Sequence, residues 1–350
     1  MRLKAVGLAL GAALTAMACG DDDGADPGGA VDAAGDAPDG GASSADTGAG
    51  GPGWQALDDL PTGPVQETAV VALDGRLYVI GGIDGGLATR AEVLVYDVSS
   101  GQWDRAADAA PSLPIPIHHA NASVVDGAIY ITGALLADFD PIGNVWSWRP
   151  GDPEWAEGTI MPLGSERGAA AVGVVDGLIV VAGGLGVPTG SSVDTVSTYD
   201  PVSGEWDDAP PELPARLDHG TGQTVDGVLY VIGGRTDGTD GNSAAVFAYV
   251  EGAWQERAPM PTARGGIAAG VLDGKIAVVG GEGNDDAASG VFAQAELYDP
   301  AADQWSALPD MRTPRHGMGA ASVDGALYVP GGADREAFGA VATHELLRIR

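Results

Sequence analysis

Short apolar runs recur along the chain with the same punctuation between them. An Asp-Gly pair, a five-residue run dominated by apolar residues and two small residues appear together six times. They read Asp74-Gly75-RLYVI-Gly81-Gly82, Asp126-Gly127-AIYIT-Gly133-Ala134 and Asp176-Gly177-LIVVA-Gly183-Gly184. The remaining three are Asp226-Gly227-VLYVI-Gly233-Gly234, Asp273-Gly274-KIAVV-Gly280-Gly281 and Asp324-Gly325-ALYVP-Gly331-Gly332. Successive Asp-Gly pairs stand 52, 50, 50, 47 and 51 residues apart. Asp-Gly between two apolar runs predicts a hairpin whose type I′ turn has positive φ at both central residues. The runs on either side, such as Ala69 to Leu73 and Leu77 to Ile80, are predicted strands a and b. The glycine pair after strand b permits close backbone approach and an abrupt exit.

A tryptophan keeps the same rhythm: Trp54, Trp103, Trp155, Trp206, Trp254 and Trp305. An aromatic residue stands seven positions before four of them, at Tyr96, Trp148, Tyr199 and Tyr298, and five before Trp254, at Tyr249. The aromatic ends a predicted strand c, a turn of the Asp200-Pro201-Val202-Ser203-Gly204 kind follows, and the tryptophan opens strand d. Four antiparallel strands per period, with large aromatics placed to pack between neighbouring sheets, describe a propeller blade. The first period is preceded by an orphan strand-d segment, Trp54-Gln55-Ala56-Leu57, and the last ends after strand c with no tryptophan, Leu347 standing where the aromatic is due. The expectation is an all-β, six-bladed propeller in which the N-terminal strand completes the sixth blade and removes an exposed sheet edge.

The Gly-Gly, Tyr and Trp set at this period resembles the Kelch-repeat family over residues 54 to 350. A WD40 reading fails, because Trp103-Asp104 and Trp206-Asp207 open a strand instead of closing a blade. Six-bladed Kelch propellers also include the sialic-acid mutarotases. That more distant resemblance implies arginines and carboxylates at the channel mouth handling an acidic sugar. Galactose-oxidase-like copper chemistry is rejected, since that family needs a cysteine cross-linked to tyrosine and Cys19 is the only cysteine.

Composition adds the ends of the chain. The 350 residues carry a formal net charge of −32. So acidic a surface repels phosphate backbones and anionic headgroups, which argues against nucleic acid or lipid surfaces as ligands. Residues 1 to 18 read as a signal peptide: Arg2 and Lys4, an apolar core from Ala5 to Ala16, then Ala16-Met17-Ala18-Cys19 resembling a lipobox. Cys19 is the expected lipid attachment, with Gly20 favouring the outer membrane of a bacterial cell envelope, on its periplasmic or outer side. Residues 19 to 53 hold eight Asp and no aromatic or basic residue, and read as a disordered acidic tether. With the signal at +2 and the tether at −8, residues 54 to 350 keep −26.

The d–a loops carry the candidate chemistry. Nine residues before each Asp-Gly stands Val65, Ile117, Arg167, Leu217, Arg264 or Arg315, and His118, His119, His219 and His316 follow one or two positions later. Arg235 lies just past the glycine pair of the fourth repeat. Arg167, Arg235, Arg264, Arg315 and the four histidines are therefore expected to line a ligand pocket at the channel mouth, the arginines pairing with carboxylate and the histidines sharing hydrogen bonds with sugar hydroxyls. The b–c loops supply acids, including Asp84, Glu282 and Asp237-Gly-Thr-Asp240, but with no EF-hand spacing. No metal, cofactor or catalytic set is expected. No Gly-x-Ser-x-Gly elbow, phosphate loop or His-Glu-x-x-His occurs. The expected function is a monomeric, lipid-anchored binding module offering one loop face to a protein or glycan, with a sugar-acid mutarotase or epimerase as the alternative.

Overall fold

Each Asp-Gly pair adopts the mirror-image turn its composition demands. In the computed structural model, φ at Asp74 and Gly75 is 51° and 73°, and the other five pairs span 48–51° and 70–81°. The turns join strands a and b of six four-stranded antiparallel sheets. Blade 1 comprises Ala69–Leu73, Arg76–Ile80, Val93–Asp97 and Gln102–Trp103. Blades 3, 4 and 5 repeat this order over residues 171–207, 221–256 and 268–307. The described residues are 51–104, 110–207 and 210–350. The signal, Cys19 and nearly all of the tether lie outside them. No helix among the described residues is long and apolar enough to cross a membrane.

Closure follows the predicted route. Gly53–Ala56 pairs antiparallel with His344–Arg348, placing Trp54 opposite Leu347, and becomes the outer strand of blade 6. The ring is then sealed by packing. Leu77 and Tyr96 of blade 1 are buried against Ala326, Tyr328 and Leu346 of blade 6.

Two repeated contacts join neighbouring blades. All six recurrent indoles donate to a carbonyl in the outer segment of the preceding blade: Trp54 to Pro309, Trp103 to Asp58, Trp155 to Pro111, Trp206 to Thr159, Trp254 to Pro211 and Trp305 to Ala258, at 2.7–3.0 Å. The second contact explains the glycine pairs. The second glycine donates its N–H to the d–a loop of the next blade, as Gly82 does to the Ile117 carbonyl at 2.9 Å. A Cβ on Gly81 would stand 2.5 Å from that same oxygen, so only glycine admits the approach.

Blade 2 shows what happens without the pair. Ala134 replaces the second glycine, and strands b and c run on to eight residues each, Ala128–Leu135 and Pro141–Trp148. The interblade bond survives through a substitute, because the Asn121 amide donates to the Arg167 carbonyl at 2.9 Å.

Candidate functional site

The inner ends of the d–a loops turn through one residue with positive φ, seven positions before each Asp-Gly. These residues are Glu67, His119, Ala169, His219, Gly266 and Gly317, with φ between 51° and 67°. Their backbones form a closed cycle around the axis. Glu67 donates its N–H to Gly317, His119 to Glu67, Ala169 to His119, His219 to Ala169, Gly266 to His219 and Gly317 to Gly266, at 2.5–3.0 Å. Each link crosses from one blade to the next, so the cycle fixes six loop ends at one level of the channel.

Three of the six side chains meet on the axis. His119 Nε2 stands 3.0 Å from Glu67 Oε2 and 2.9 Å from His219 Nε2. The neighbouring position adds Gln66, His118, Asp218 and His316. His118 Nδ1 lies 2.5 Å from His119 Nδ1, and Asp218 Oδ1 accepts from His219 Nδ1 at 2.5 Å. Arg235 reaches in from the b–c loop of blade 4, pairing with Glu282 and with Asp218 at 3.3 Å, and its Nη2 is 3.2 Å from His219 Nε2. His316 donates from Nε2 to the Arg335 carbonyl at 2.9 Å, while its Nδ1 faces Glu282 at 3.5 Å and Glu67 at 3.8 Å. All these side chains are buried or nearly so.

Burial sets the electrostatics of the plug. It would raise the Glu67 carboxyl, but His119, with His316 and His219, overrides it and holds Glu67 well below the usual carboxylate range. Burial likewise opposes ionisation of Asp218, yet His219, Ser192 and Arg235 keep its carboxyl below the ordinary value. Desolvation and the Arg235 charge push His219 down, and desolvation pushes His118 down to about 3. Below the plug the channel is lined by small apolar residues such as Ala120, Ala170 and Gly220, and holds a cavity of about 100 Å³ roofed by Glu67, His119 and His219.

The structure divides the predicted site set. His118, His119, His219, His316 and Arg235 come together on the axis. Arg167, Arg264 and Arg315 do not join them, a correction to the expected shared pocket. They are 0–1% exposed and turn into their own blades. Arg264 donates to the Gly280 and Thr262 carbonyls at 2.7 and 2.8 Å and to Glu296 at 2.6 Å. Arg315 pairs with Glu345 at 3.0 Å and with the Thr343 carbonyl at 2.9 Å. Arg167 donates to the Val181 carbonyl and to Ser197 Oγ. The physical reason is desolvation: a guanidinium taken into a blade must find acceptors there, and each of these finds several. Where the loop residue is apolar the strand-c partner is apolar too: Ile117 packs in one core cluster with Trp146, and Leu217 in another with Phe247.

Sequence reasoning missed Glu67 and Asp218 and placed Glu282 only among the loop acids. The signal was available: Glu67 precedes Asp74 by the seven residues that separate His119 from Asp126 and His219 from Asp226. Among the acids of the outer b–c loops, Asp84 serves local order, while Asp140 and Glu336 accept from Thr189 and Thr239 of other blades. Asp84 caps its own loop through the amides of Gly86 and Ala88 and pairs with Arg90 at 2.7 Å.

Residues 77–341 match the Attractin/LZTR1 beta-propeller family. The chain is 34% identical to the Kelch-like protein terF of Aspergillus terreus, over 80% of this chain and 64% of that protein. It is 28% identical to Kelch-like protein 41a of Danio rerio, over 64% of this chain and 37% of that protein. It thus spans under two thirds of the length of these curated relatives. Among solved structures, YjhT superposes with a TM-score of 0.68 at 16% identity, over 84% of this chain and 97% of that one, a likeness of fold. Six blades, their repeated indole and glycine contacts and the family match lead to one conclusion: this chain belongs to the Attractin/LZTR1 beta-propeller family and is a Kelch-repeat propeller.

Proposed function

We propose that this protein is a binding module that offers the face formed by its d–a and b–c loops to a protein partner, held outside the cytoplasm by a lipid on Cys19. The observation that carries the reading is where large apolar side chains are left in water. Of eight exposed ones among the described residues, Leu87, Ile115, Ile160, Leu163, Val187 and Phe338 lie on the d–a and b–c segments, against Leu178 and Val202 on the other side. An apolar rim on one face suits a protein surface. A glycan remains the second ligand class for that face, and the propeller acts as a monomer on its tether in the bacterial envelope.

The sugar-acid isomerase alternative is less well supported. Arg167, Arg264 and Arg315, its carboxylate-recognising residues, have their donors engaged inside the blades.

The test is site-specific photocrosslinking in cells of the native host. A photoreactive residue at Phe338 or Leu87 should trap a discrete protein adduct, and one at Val202 should not. Equal labelling from both faces would overturn the assignment of the face. Labelled lipid recovered on wild-type protein and lost in Cys19→Ala tests the anchor separately.

A further inference from the structure

The three side chains that meet on the axis have the makings of a ligand set. The geometry points to a mononuclear site for a divalent first-row transition metal, bound by Glu67, His119 Nε2 and His219 Nε2. The donor atoms of the three residues lie within 4.8 Å of one another. Two of the separations, 3.0 and 2.9 Å, match the roughly 3 Å between neighbouring ligands of a six-coordinate ion with bonds of about 2.1 Å. Two imidazoles and one carboxylate with open positions beside them form a set suited to iron, manganese or zinc.

The surroundings prepare both imidazoles. Asp218 accepts from His219 Nδ1, which fixes the tautomer and leaves the Nε2 lone pair facing the axis. His118 Nδ1 stands against His119 Nδ1, so a hydrogen shared between them orients the second ring in the same way. Neither ring depends on solvent for its orientation.

Charge supplies an independent argument. The plug buries three carboxylates, those of Glu67, Asp218 and Glu282, and one guanidinium, Arg235. Counting the carboxylates and the guanidinium alone, the excess is two negative charges, which a divalent cation would neutralise, and buried charge left uncompensated is costly. His316 adds a further sign. It is 1% exposed, its Nδ1 has no hydrogen-bond partner, and that atom faces Glu67 and Glu282. Arg235 Nη2 now shares the His219 Nε2 lone pair at 3.2 Å, and an ion would take that lone pair while Arg235 keeps its bonds to Asp218 and Glu282. The cavity below has room for the waters that complete the coordination shell. The ion would tie blades 1, 2 and 4 together across the axis, a role independent of the apolar rim.

The experiment uses the full chain, stripped with chelator and titrated with Zn²⁺ by calorimetry and with Co²⁺ by visible absorption. One equivalent should bind, and Zn²⁺ should raise the melting temperature. Glu67→Gln and His119→Asn should abolish the calorimetric signal while leaving the circular dichroism of the sheet intact. Asp218→Asn, which offers the ion no ligand atom but loses the carboxylate that orients His219, should weaken binding about 10- to 100-fold. Absence of saturable Zn²⁺ and Co²⁺ binding, or equal binding by wild type and Glu67→Gln, would overturn the site. Should the variants fail to fold, X-ray absorption on the wild-type Zn²⁺ complex decides: a shell with two imidazoles supports the assignment, and a shell without them refutes it.

Discussion

The rim and the axis of this propeller obey the same sixfold geometry and use it in opposite ways. At the rim, six tryptophans occupy equivalent positions and make the same hydrogen bond to the preceding blade. At the axis, six equivalent residues share one left-handed backbone and one cycle of hydrogen bonds, yet their side chains are Glu, His, Ala, His, Gly and Gly. Stability in a repeat fold accumulates from identical neighbour contacts, so repetition serves the rim. Chemistry needs unlike groups in contact, so the repeat is broken where side chains from different blades converge. Between the two lie the loop arginines, which are repeated in three blades and are part of the scaffold.

That division can be tested by making one blade imitate another. Arg264→Leu alone leaves Glu296 buried without its partner and is expected to cost about 3–5 kcal/mol. Arg264→Leu combined with Glu296→Phe copies the apolar pairing of Leu217 and Phe247 in blade 4 and should recover most of the loss in urea unfolding. A double variant as unstable as the single one would mean that the arginine does more than fill its blade.

His344 is a second breach of repetition, at the start of strand c in blade 6, where the equivalent residues are Val93, Val196, Val246 and Ala295. It is fully buried between Tyr96 and Trp103 of blade 1, with ring centroids 4.7 and 5.2 Å away. Desolvation, followed by the charge of Arg315, pushes its imidazole down from the usual 6.5 to about 3. The unfolded chain therefore binds a proton in that window that the folded chain does not. Stability should fall as pH drops from about 6.5 towards 3, by up to about 1.4 kcal/mol per pH unit from this group. His344→Val should flatten that part of the stability–pH curve, and an unchanged slope would assign the acid sensitivity elsewhere.

The smallest effects belong to single elements of the repeat. Trp54→Phe removes the closing indole bond to Pro309 and should cost about 1 kcal/mol, as should Trp305→Phe. A much larger loss at Trp54 would show that closure is more than one repeat contact among six. Ala169→Gly relieves a left-handed alanine at φ 53° and should change stability by about 0.5 kcal/mol or less. It should also leave the Zn²⁺ titration untouched, since Ala169 offers no ligand atom.

Much of this was legible before any coordinates. The period of the Asp-Gly pairs, the glycines after strand b and the orphan segment at Trp54 specified six blades and their closure, because each rests on a local conformational demand or on strand count. The histidine register was legible too, since residues at one offset in a repeat share one place in the ring. The partner of each polar side chain was not. Arg264 and His316 both lie on d–a loops, yet one guanidinium enters its blade to meet Glu296 and the other residue turns to the axis to meet Glu67 and Glu282.

The sequence by itself determined the architecture, the blade count and the seam, through turn chemistry and apolar alternation that act over a few residues. Only the tertiary structure decided which charges meet. Glu67, His119 and His219 are 52 and 100 residues apart along the chain and touch because three blades point their loop ends at one axis. Desolvation at that crossing, a property of the closed ring and of no single repeat, sets what those groups can do.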